Sequence, residues 1–175
     1  MSEQEGFALW LTGLPASGKS SITRELMKQL RACGVSAVVL ESDEMRKILT
    51  PAPTYGDEER TRFYRALVQI GTLITRSGVN VIFDATANKR AYRDHARQTI
   101  TKFAEVYVVC PQDICLKRDP KGIYAQAALN VATNVPGVQA AYEPPLSPDL
   151  KLDGQALPAS EAVKIIATLK QLSYL

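Results

Sequence analysis

The residues Gly13-Leu14-Pro15-Ala16-Ser17-Gly18-Lys19-Ser20 form the pattern G-x-x-x-x-G-K-S, and their place in the chain decides the fold. An apolar run from Phe7 to Leu11 precedes them and predicts a strand. Apolar residues at helical spacing follow them: Ile22, Leu26, Met27 and Leu30. A glycine-rich loop between a strand and a helix is the context in which this pattern binds phosphate. The alternative that the residues leave open is a glycine-rich turn between core elements.

Each part of this loop has a chemical role in a phosphate site. Glycines let backbone N–H groups surround phosphate oxygens, and the helix N-terminus adds a partial positive charge. Lys19 can reach the β and γ phosphates, and Ser20 can ligate Mg²⁺. We therefore predict that the chain binds ATP or GTP with Mg²⁺ and that Lys19 is catalytic. The predicted nucleotide contacts are Gly13, Leu14, Pro15, Ala16, Ser17, Gly18, Lys19, Ser20 and Ser21.

Length and composition bound the class of protein. A chain of 175 residues predicts one domain, residues 1–175. The net charge of +3 suits a small anionic substrate and is below the density typical of a duplex-binding protein, so nucleic acid is not the expected partner. The three cysteines lack paired spacing, and the sequence has no secretory segment and no apolar span of about twenty residues. We expect a reducing, cytoplasmic setting without a membrane and interpret the cysteines as small core residues.

Strand-like and helical patterns alternate along the chain, which predicts a parallel α/β sheet. Beyond the first strand, the predicted strands are Val35 to Leu40, Val79 to Phe83 and Val106 to Val109. The predicted helices are Lys19 to Cys33, Asp43 to Leu49, Asp57 to Ser77, Lys89 to Phe103, Pro111 to Lys117 and Ala159 to Leu172, with a helical stretch near Ile123 to Leu129.

The part between Asp119 and Asp153 is interrupted by five prolines, which predicts irregular chain. A loop of this length in a compact domain is usually functional. In a phosphoryl-transfer enzyme its natural role is a lid that excludes water. We predict such a lid at approximately residues 118–150.

Two acidic positions follow predicted strands, where the carboxyl ends of parallel strands form a crevice. Asp43 could orient an acceptor hydroxyl and take its proton, and Arg46, about one turn later, could hold an anion. Asp84 could hold a magnesium-bound water. The residues leave alternatives open, because Ser42 or Asp43 could be an ordinary helix N-cap and Asp84 could cap the following helix.

Motifs outside the phosphate loop resemble those of one enzyme family. They are Arg118-Asp119-Pro120-Lys121-Gly122-Ile123-Tyr124, Pro136-Gly137-Val138, Ala141-Tyr142-Glu143-Pro144-Pro145 and the opening Leu9-Trp10-Leu11-Thr12-Gly13-Leu14. Together they resemble the adenylylsulfate kinases over nearly the whole chain. The resemblance implies an α/β P-loop kinase fold with a central parallel five-stranded sheet and a lid. It also implies transfer of the γ-phosphoryl of ATP, with Mg²⁺, to the 3′-hydroxyl of adenosine 5′-phosphosulfate (APS).

The resemblance also implies roles for single residues. Asp43 matches the acidic residue beside the acceptor hydroxyl, and Arg46 and Arg60 match two substrate-binding arginines. Arg118 matches a residue that packs on the ATP adenine. The residues predicted to contact the substrate are Asp43, Arg46, Tyr55 (against the adenine), Arg60, Phe63, Thr86, Ala87 and Lys121 (the lid lysine).

The chain also departs from the family pattern. Glu41-Ser42-Asp43 replaces Asp-Gly-Asp, Phe63 stands where the family has asparagine, and Val135 stands where it has phenylalanine. Ala87 occupies the position of a serine that is phosphorylated in some members, so we expect direct transfer from ATP. Alternatives are another small P-loop kinase, acting on a nucleotide-linked metabolite or a nucleic-acid 5′ end, and a nucleotide-dependent switch. A homodimer is left open.

Overall fold

A computed structural model describes residues 5–175 and contains a five-stranded, fully parallel sheet. Its strands are β1 (Ala8–Thr12), β2 (Ala37–Glu41), β3 (Asn80–Asp84), β4 (Phe103–Val109) and β5 (Leu150–Asp153), and they lie in the order β2-β3-β1-β4-β5. Because β1 lies in the middle, the loop that follows it emerges at the centre of the sheet's carboxyl edge. The predicted α/β fold with a parallel five-stranded sheet is confirmed.

Helices flank this sheet on both faces. They are α1 (Lys19–Ala32), α2 (Ser42–Leu49), α3 (Asp57–Arg76), α4 (Arg90–Thr99), α5 (Gln112–Arg118), α6 (Ile123–Ala128) and α7 (Pro158–Gln171). Within residues 5–175, no helix combines the length and the apolar character needed to cross a membrane.

Successive side chains of β1 contribute to the packing of both faces of the sheet. Trp10 belongs to a core cluster with residues of α3 and α4, whereas Leu9 and Leu11 belong to a second cluster with residues of α1 and α7. Successive side chains of a strand point to opposite faces, so a five-residue run of buried side chains supplies both cores. The indole of Trp10 stacks on the ring of Phe83 at 4.5 Å between centroids and donates its N–H to the Ala85 carbonyl at 3.0 Å.

The structure corrects three sequence predictions: the end of one helix, one irregular stretch and the burial of one cysteine. The helix predicted over Lys89 to Phe103 ends at Thr99, because Phe103 begins β4 and is buried beneath the helices. Strand β5 lies in the stretch that the prolines predicted to be irregular. It has four residues, and within residues 5–175 it pairs only with β4. Cys110 and Cys115 are buried as predicted, but Cys33 is exposed after the end of α1, so its assignment to the core was wrong.

The chain between α5 and β5, residues 119–149, has its own small core. Tyr124, Ala127 and Val135 pack with Cys110 and Cys115 in a third buried cluster. An isolated bridge between Pro136 and Ala140 closes a turn in this segment. The segment is therefore packed onto the carboxyl edge of the sheet beside the loop that follows β1.

Candidate active site

A crevice of about 700 Å³ lies at the carboxyl edge of the sheet, a size typical of ligand pockets. Several strands end at it, since β1, β2 and β3 each lead directly into residues of its wall or floor. The structure brings together there these predicted site residues: Pro15, Ala16, Gly18, Lys19, Ser20, Ser21, Asp43, Asp84, Thr86, Arg118 and Lys121. Residues from the first loop, α2, β3 and α5 thus share one cavity.

The loop between β1 and α1 ends in a left-handed glycine and holds the Lys19 side chain. Gly18 is the N-cap of α1 with φ of +106°, a left-handed conformation that favours glycine. The Lys19 ammonium donates to the carbonyl oxygens of Gly13 and Leu14 at 3.1 and 2.9 Å. Burial lowers the pKa of Lys19, while the negative charge of Asp84 opposes that shift. The Lys19 ammonium is thereby held beside the N-terminus of α1.

Asp84 is the last residue of β3 and is 4% exposed. Helix α4 has Lys89 at its N-cap, so the alternative in which Asp84 caps this helix is wrong. Burial raises the pKa of Asp84, and the charge of Lys19 and the Ser20 hydroxyl oppose the rise. Among residues 5–175 no group of three or more acidic, histidine or cysteine side chains could hold a metal. One hydroxyl and one carboxylate still fit Mg²⁺ in a nucleotide site, because that ion keeps waters and substrate phosphates as its other ligands.

Asp43 lies in the first turn of α2 and faces the crevice. The N-cap of α2 is Glu41, which makes no side-chain capping bond, so the alternative in which Ser42 or Asp43 is the N-cap is wrong. The Asp43 carboxylate accepts a hydrogen bond from the Lys121 ammonium, which is also 3.5 Å from Glu41 Oε1. Burial disfavours the charge on Lys121, but the hydrogen bond and charge of Asp43 outweigh it and raise the pKa of Lys121. The 119–149 segment is thus tied electrostatically to α2 across the crevice.

A second group of predicted residues lies outside the crevice wall, around two buried arginines. The Arg46 guanidinium lies 4.1 Å from the Phe63 ring centroid and 4.9 Å from that of Tyr55. Its Nη1 donates to Glu59 at 3.0 Å. Arg60 is 4% exposed; its Nη2 donates to the Asn134 carbonyl, whereas its Nε and Nη1 have no partner in residues 5–175. Burial lowers the pKa of Arg60.

Two predicted contact residues have buried side chains. Phe63 is 1% exposed, and its ring packs against the Arg46 guanidinium. A contact of its side chain with substrate stays a prediction. Ala87 is 0% exposed, with its amide N–H donating to the Tyr64 hydroxyl at 3.0 Å. Its methyl group belongs to the core, because the turn after β3 folds inward at that position. Neither side chain lines the crevice.

Sequence reasoning missed two parts of the site. Gly154 follows β5 and lies against the phosphate loop so closely that a Cβ there would be 2.1 Å from the Ser17 carbonyl oxygen. Its own carbonyl accepts from Arg118 Nη1 at 2.7 Å. Thr12 Oγ1 donates to the Thr86 carbonyl at 2.6 Å and is 3.1 Å from the Tyr142 hydroxyl. The available signal was the alternation Leu150-Lys151-Leu152-Asp153 directly before a glycine.

Known proteins resemble this chain over nearly its whole length. A family model described as adenylylsulphate kinase matches residues 5–153. A probable adenylyl-sulfate kinase of Pyrococcus abyssi is 37% identical over 172 residues, 98% of this chain and 99% of that protein. An adenylyl-sulfate kinase of Rippkaea orientalis is 37% identical over 174 residues, 99% of this chain and 96% of that protein.

A solved structure is similar over the same length. The Mycobacterium tuberculosis APS kinase in complex with AMPPNP and APS has a TM-score of 0.89 and 32% identity, covering 95% of this chain and 98% of that one. The resemblance predicted from the sequence motifs is therefore confirmed, and the chain belongs to the adenylylsulphate kinase family.

Proposed function

We propose that the protein transfers the γ-phosphoryl group of ATP to the 3′-hydroxyl of APS, which gives 3′-phosphoadenylylsulfate and ADP. The observation that carries this proposal is the crevice in which a phosphate-binding loop faces Asp43 and Lys121. The family supports the substrate, since the structurally similar M. tuberculosis enzyme was solved with AMPPNP and APS. We propose that residues 1–175 act as one kinase domain and call residues 119–149 its lid.

The ATP side of the crevice contains the N–H donors and the cation that bind phosphate. Loop N–H groups and the α1 N-terminus bind the phosphates of ATP, and the Lys19 ammonium neutralises charge that grows on the transferring group. Arg118 offers its flat guanidinium to the adenine, a role that stacking favours. Its bond to the Gly154 carbonyl fixes that plane at the crevice wall. Together these groups orient the γ-phosphorus of ATP toward α2.

Magnesium fits the same side of the crevice. The Ser20 hydroxyl would ligate the ion directly, and Asp84 would hold one of its water ligands. Bound there with ATP, the ion supplies positive charge to the β and γ phosphates. Asp84 suits this role because it lines the same crevice as Ser20.

The acceptor side contains the base and the anion-binding cations. The Asp43 carboxylate takes the proton of the 3′-hydroxyl while that oxygen bonds to the γ-phosphorus, and the bond from phosphorus to the β–γ bridging oxygen breaks to release ADP. Arg46 and Arg60 bind the phosphosulfate. Arg60 is suited to this because two of its buried nitrogens, Nε and Nη1, lack a hydrogen-bond partner in the described chain, which is costly unless a ligand satisfies them. Tyr55 packs on the adenine of APS.

Transfer is direct from one nucleotide to the other. Ala87 has no hydroxyl and is fully buried, so a phosphoenzyme cannot form at the position where some family members have a serine. Both nucleotides must therefore be bound together, and the lid covers them and excludes water that would compete as acceptor. Lys121 adds a cation where the two anionic substrates meet.

The test of the function uses the purified protein with Mg²⁺-ATP and APS, with ADP and phosphorylated product both measured. Adenosine 5′-monophosphate tests the need for the sulfate, 3′-deoxy-APS tests the need for the acceptor hydroxyl, and a 5′-hydroxyl oligonucleotide tests the competing kinase class. We expect 3′-phosphoadenylylsulfate from APS only. Efficient turnover with another acceptor and none with APS would overturn the substrate assignment.

A Gly154→Ala substitution tests how the loop after β5 supports the phosphate loop. The new methyl group would lie 2.1 Å from the Ser17 carbonyl and 3.0 Å from Cys110 Cβ, so the phosphate loop must move. Because small displacements of binding groups have large effects, we expect the Kd for Mg²⁺-ATP to rise at least about tenfold. Calorimetric titration measures it. Gln155→Ala, at the exposed neighbouring position, is the matched control. Equal affinity of the wild type and both variants for Mg²⁺-ATP would contradict the supporting role of Gly154.

A further inference from the structure

Arg93 is a buried cation that takes no part in the proposed phosphoryl transfer. It lies on α4 and is 1% exposed. Its Nε donates to Glu105 on β4 at 2.6 Å, its Nη1 donates to the Ala87 carbonyl, and its Nη2 donates to the Glu143 carbonyl at 2.6 Å. A buried guanidinium requires a countercharge, which Glu105 supplies. The other two donors join the turn after β3 to the C-terminal end of the lid.

The turn after β3 depends on contacts from outside it. Ala87 has φ of +43°, a conformation that non-glycine residues adopt uncommonly. Its N–H bonds to Tyr64 and its carbonyl to Arg93, so both of its backbone polar groups are held by side chains. Thr86, directly before it, lines the crevice. A shift of this turn therefore moves the crevice floor.

The end of the lid is attached to the same turn at further points. The Glu143 N–H donates to the Asn88 carbonyl at 2.8 Å, and the Asn88 amide donates to the Ala141 carbonyl at 3.0 Å. The Tyr142 hydroxyl lies 3.1 Å from Thr12 Oγ1, which bonds to the Thr86 carbonyl. The lid's C-terminal anchor, residues 141–143, and the crevice floor thus form one hydrogen-bonded unit with Arg93 at its buried centre.

We propose that Arg93 is a positioning residue that keeps the lid's C-terminal anchor in register with the Thr86–Ala87 turn. With this end of the lid fixed, its other end delivers Lys121 to a constant place opposite the phosphate loop. Arginine is suited to the task because its planar fork donates in several fixed directions, whereas a lysine ammonium is a single point on a flexible chain. The kinetic consequence rests on the proposed function, but the anchoring itself does not.

The test is an Arg93→Lys substitution, which keeps a cation beside Glu105 and removes the fork that bonds both carbonyls. We expect kcat to fall at least about tenfold, by analogy with other small misplacements, with a smaller change in the KM for ATP. Amide hydrogen exchange in residues 136–146 should become faster at temperatures where the protein is fully folded. Arg97→Lys is the matched control, since Arg97 lies on the same helix. Its Nη2 is 2.7 Å from an Asp149 carboxylate oxygen and 3.7 Å from Glu105 Oε2. We expect neither change in it.

Three results would overturn the proposal: unchanged kcat in folded Arg93→Lys protein, unchanged exchange in residues 136–146, or an equal effect of Arg97→Lys. If Arg93→Lys does not fold, the double variant Arg93→Gln/Glu105→Gln removes both buried charges together and leaves neither unpaired. The same faster exchange and lower kcat are expected from it, and wild-type exchange and kcat in the folded double variant would overturn the proposal. The exchange measurement needs no acceptor. Failure of the wild-type protein to phosphorylate APS would therefore refute the proposed function and leave the role of Arg93 to be decided separately.

Discussion

Replacing Lys19 with alanine is expected to lower kcat for phosphoryl transfer by about 10³-fold, the scale of losing a preorganised charge on the transferring group. The ammonium is buried at the phosphate loop and bonds to the carbonyls of Gly13 and Leu14, so no solvent cation replaces it in the same geometry. Steady-state kinetics with coupled ADP detection measure the loss. Thermal unfolding of the same sample checks that the protein remains folded.

Lys28→Ala provides the matched control for this experiment. Lys28 lies on the same helix, is exposed and pairs only with Glu25 at 2.6 Å among its described neighbours, a surface contact of little energetic weight. We expect wild-type kcat from this variant. Wild-type kcat from Lys19→Ala as well would refute the role of the phosphate loop in transfer.

Replacing Asp43 with asparagine is expected to lower kcat by about 10² to 10⁴, the usual range for removing a general base. The amide keeps the size and the hydrogen-bonding oxygen but cannot take the 3′-hydroxyl proton. Stability should change little, since the carboxylate is half-exposed and its interactions with the α2 dipole and with Lys121 are each worth about 1 kcal/mol or less. Kinetics and thermal unfolding on one preparation separate the two effects.

Glu44→Gln controls for charge in the same helical turn. Glu44 is exposed and pairs with Lys47 at 2.6 Å, away from the crevice wall. We expect its kcat to match the wild type. An Asp43→Asn protein with a lower Tm and full kcat would show that Asp43 stabilises α2 and is not the base.

The fold was predictable where local pattern and tertiary structure agree. The buried run through Trp10 and the loop after it specify a strand, a turn and a helix within a few residues, and the structure has them at those places. Strand β5 was missed because its signal is short: Leu150 and Leu152 alternate with the exposed Lys151 and Asp153 over only four residues. Its pairing with β4 is a contact between distant parts of the chain, which no local pattern contains. The end of α4 was predicted four residues too late because an apolar residue such as Phe103 suits a buried helix as well as a buried strand.

The candidate site shows the same division. Its loop residues and Asp43 follow motifs of contiguous residues, so their grouping could be predicted. The supporting contacts of Gly154 and Arg93 could not, since each acts on backbone atoms of segments that are remote in sequence. The packing of Phe63 beneath Arg46 depends on the direction in which α3 turns its side chains, which a motif comparison does not contain.

The stacked indole in the core gives the protein a built-in spectroscopic probe. The sequence has one tryptophan, so all indole fluorescence comes from Trp10. This fluorophore is fully buried, and its N–H is bonded to the residue that begins the turn leading to the crevice floor. Ligands that displace this turn change the polarity and bonding around the excited ring. Rapid-mixing fluorescence would therefore follow any nucleotide-binding step that displaces this turn, without a dye and without overlapping emission from a second indole.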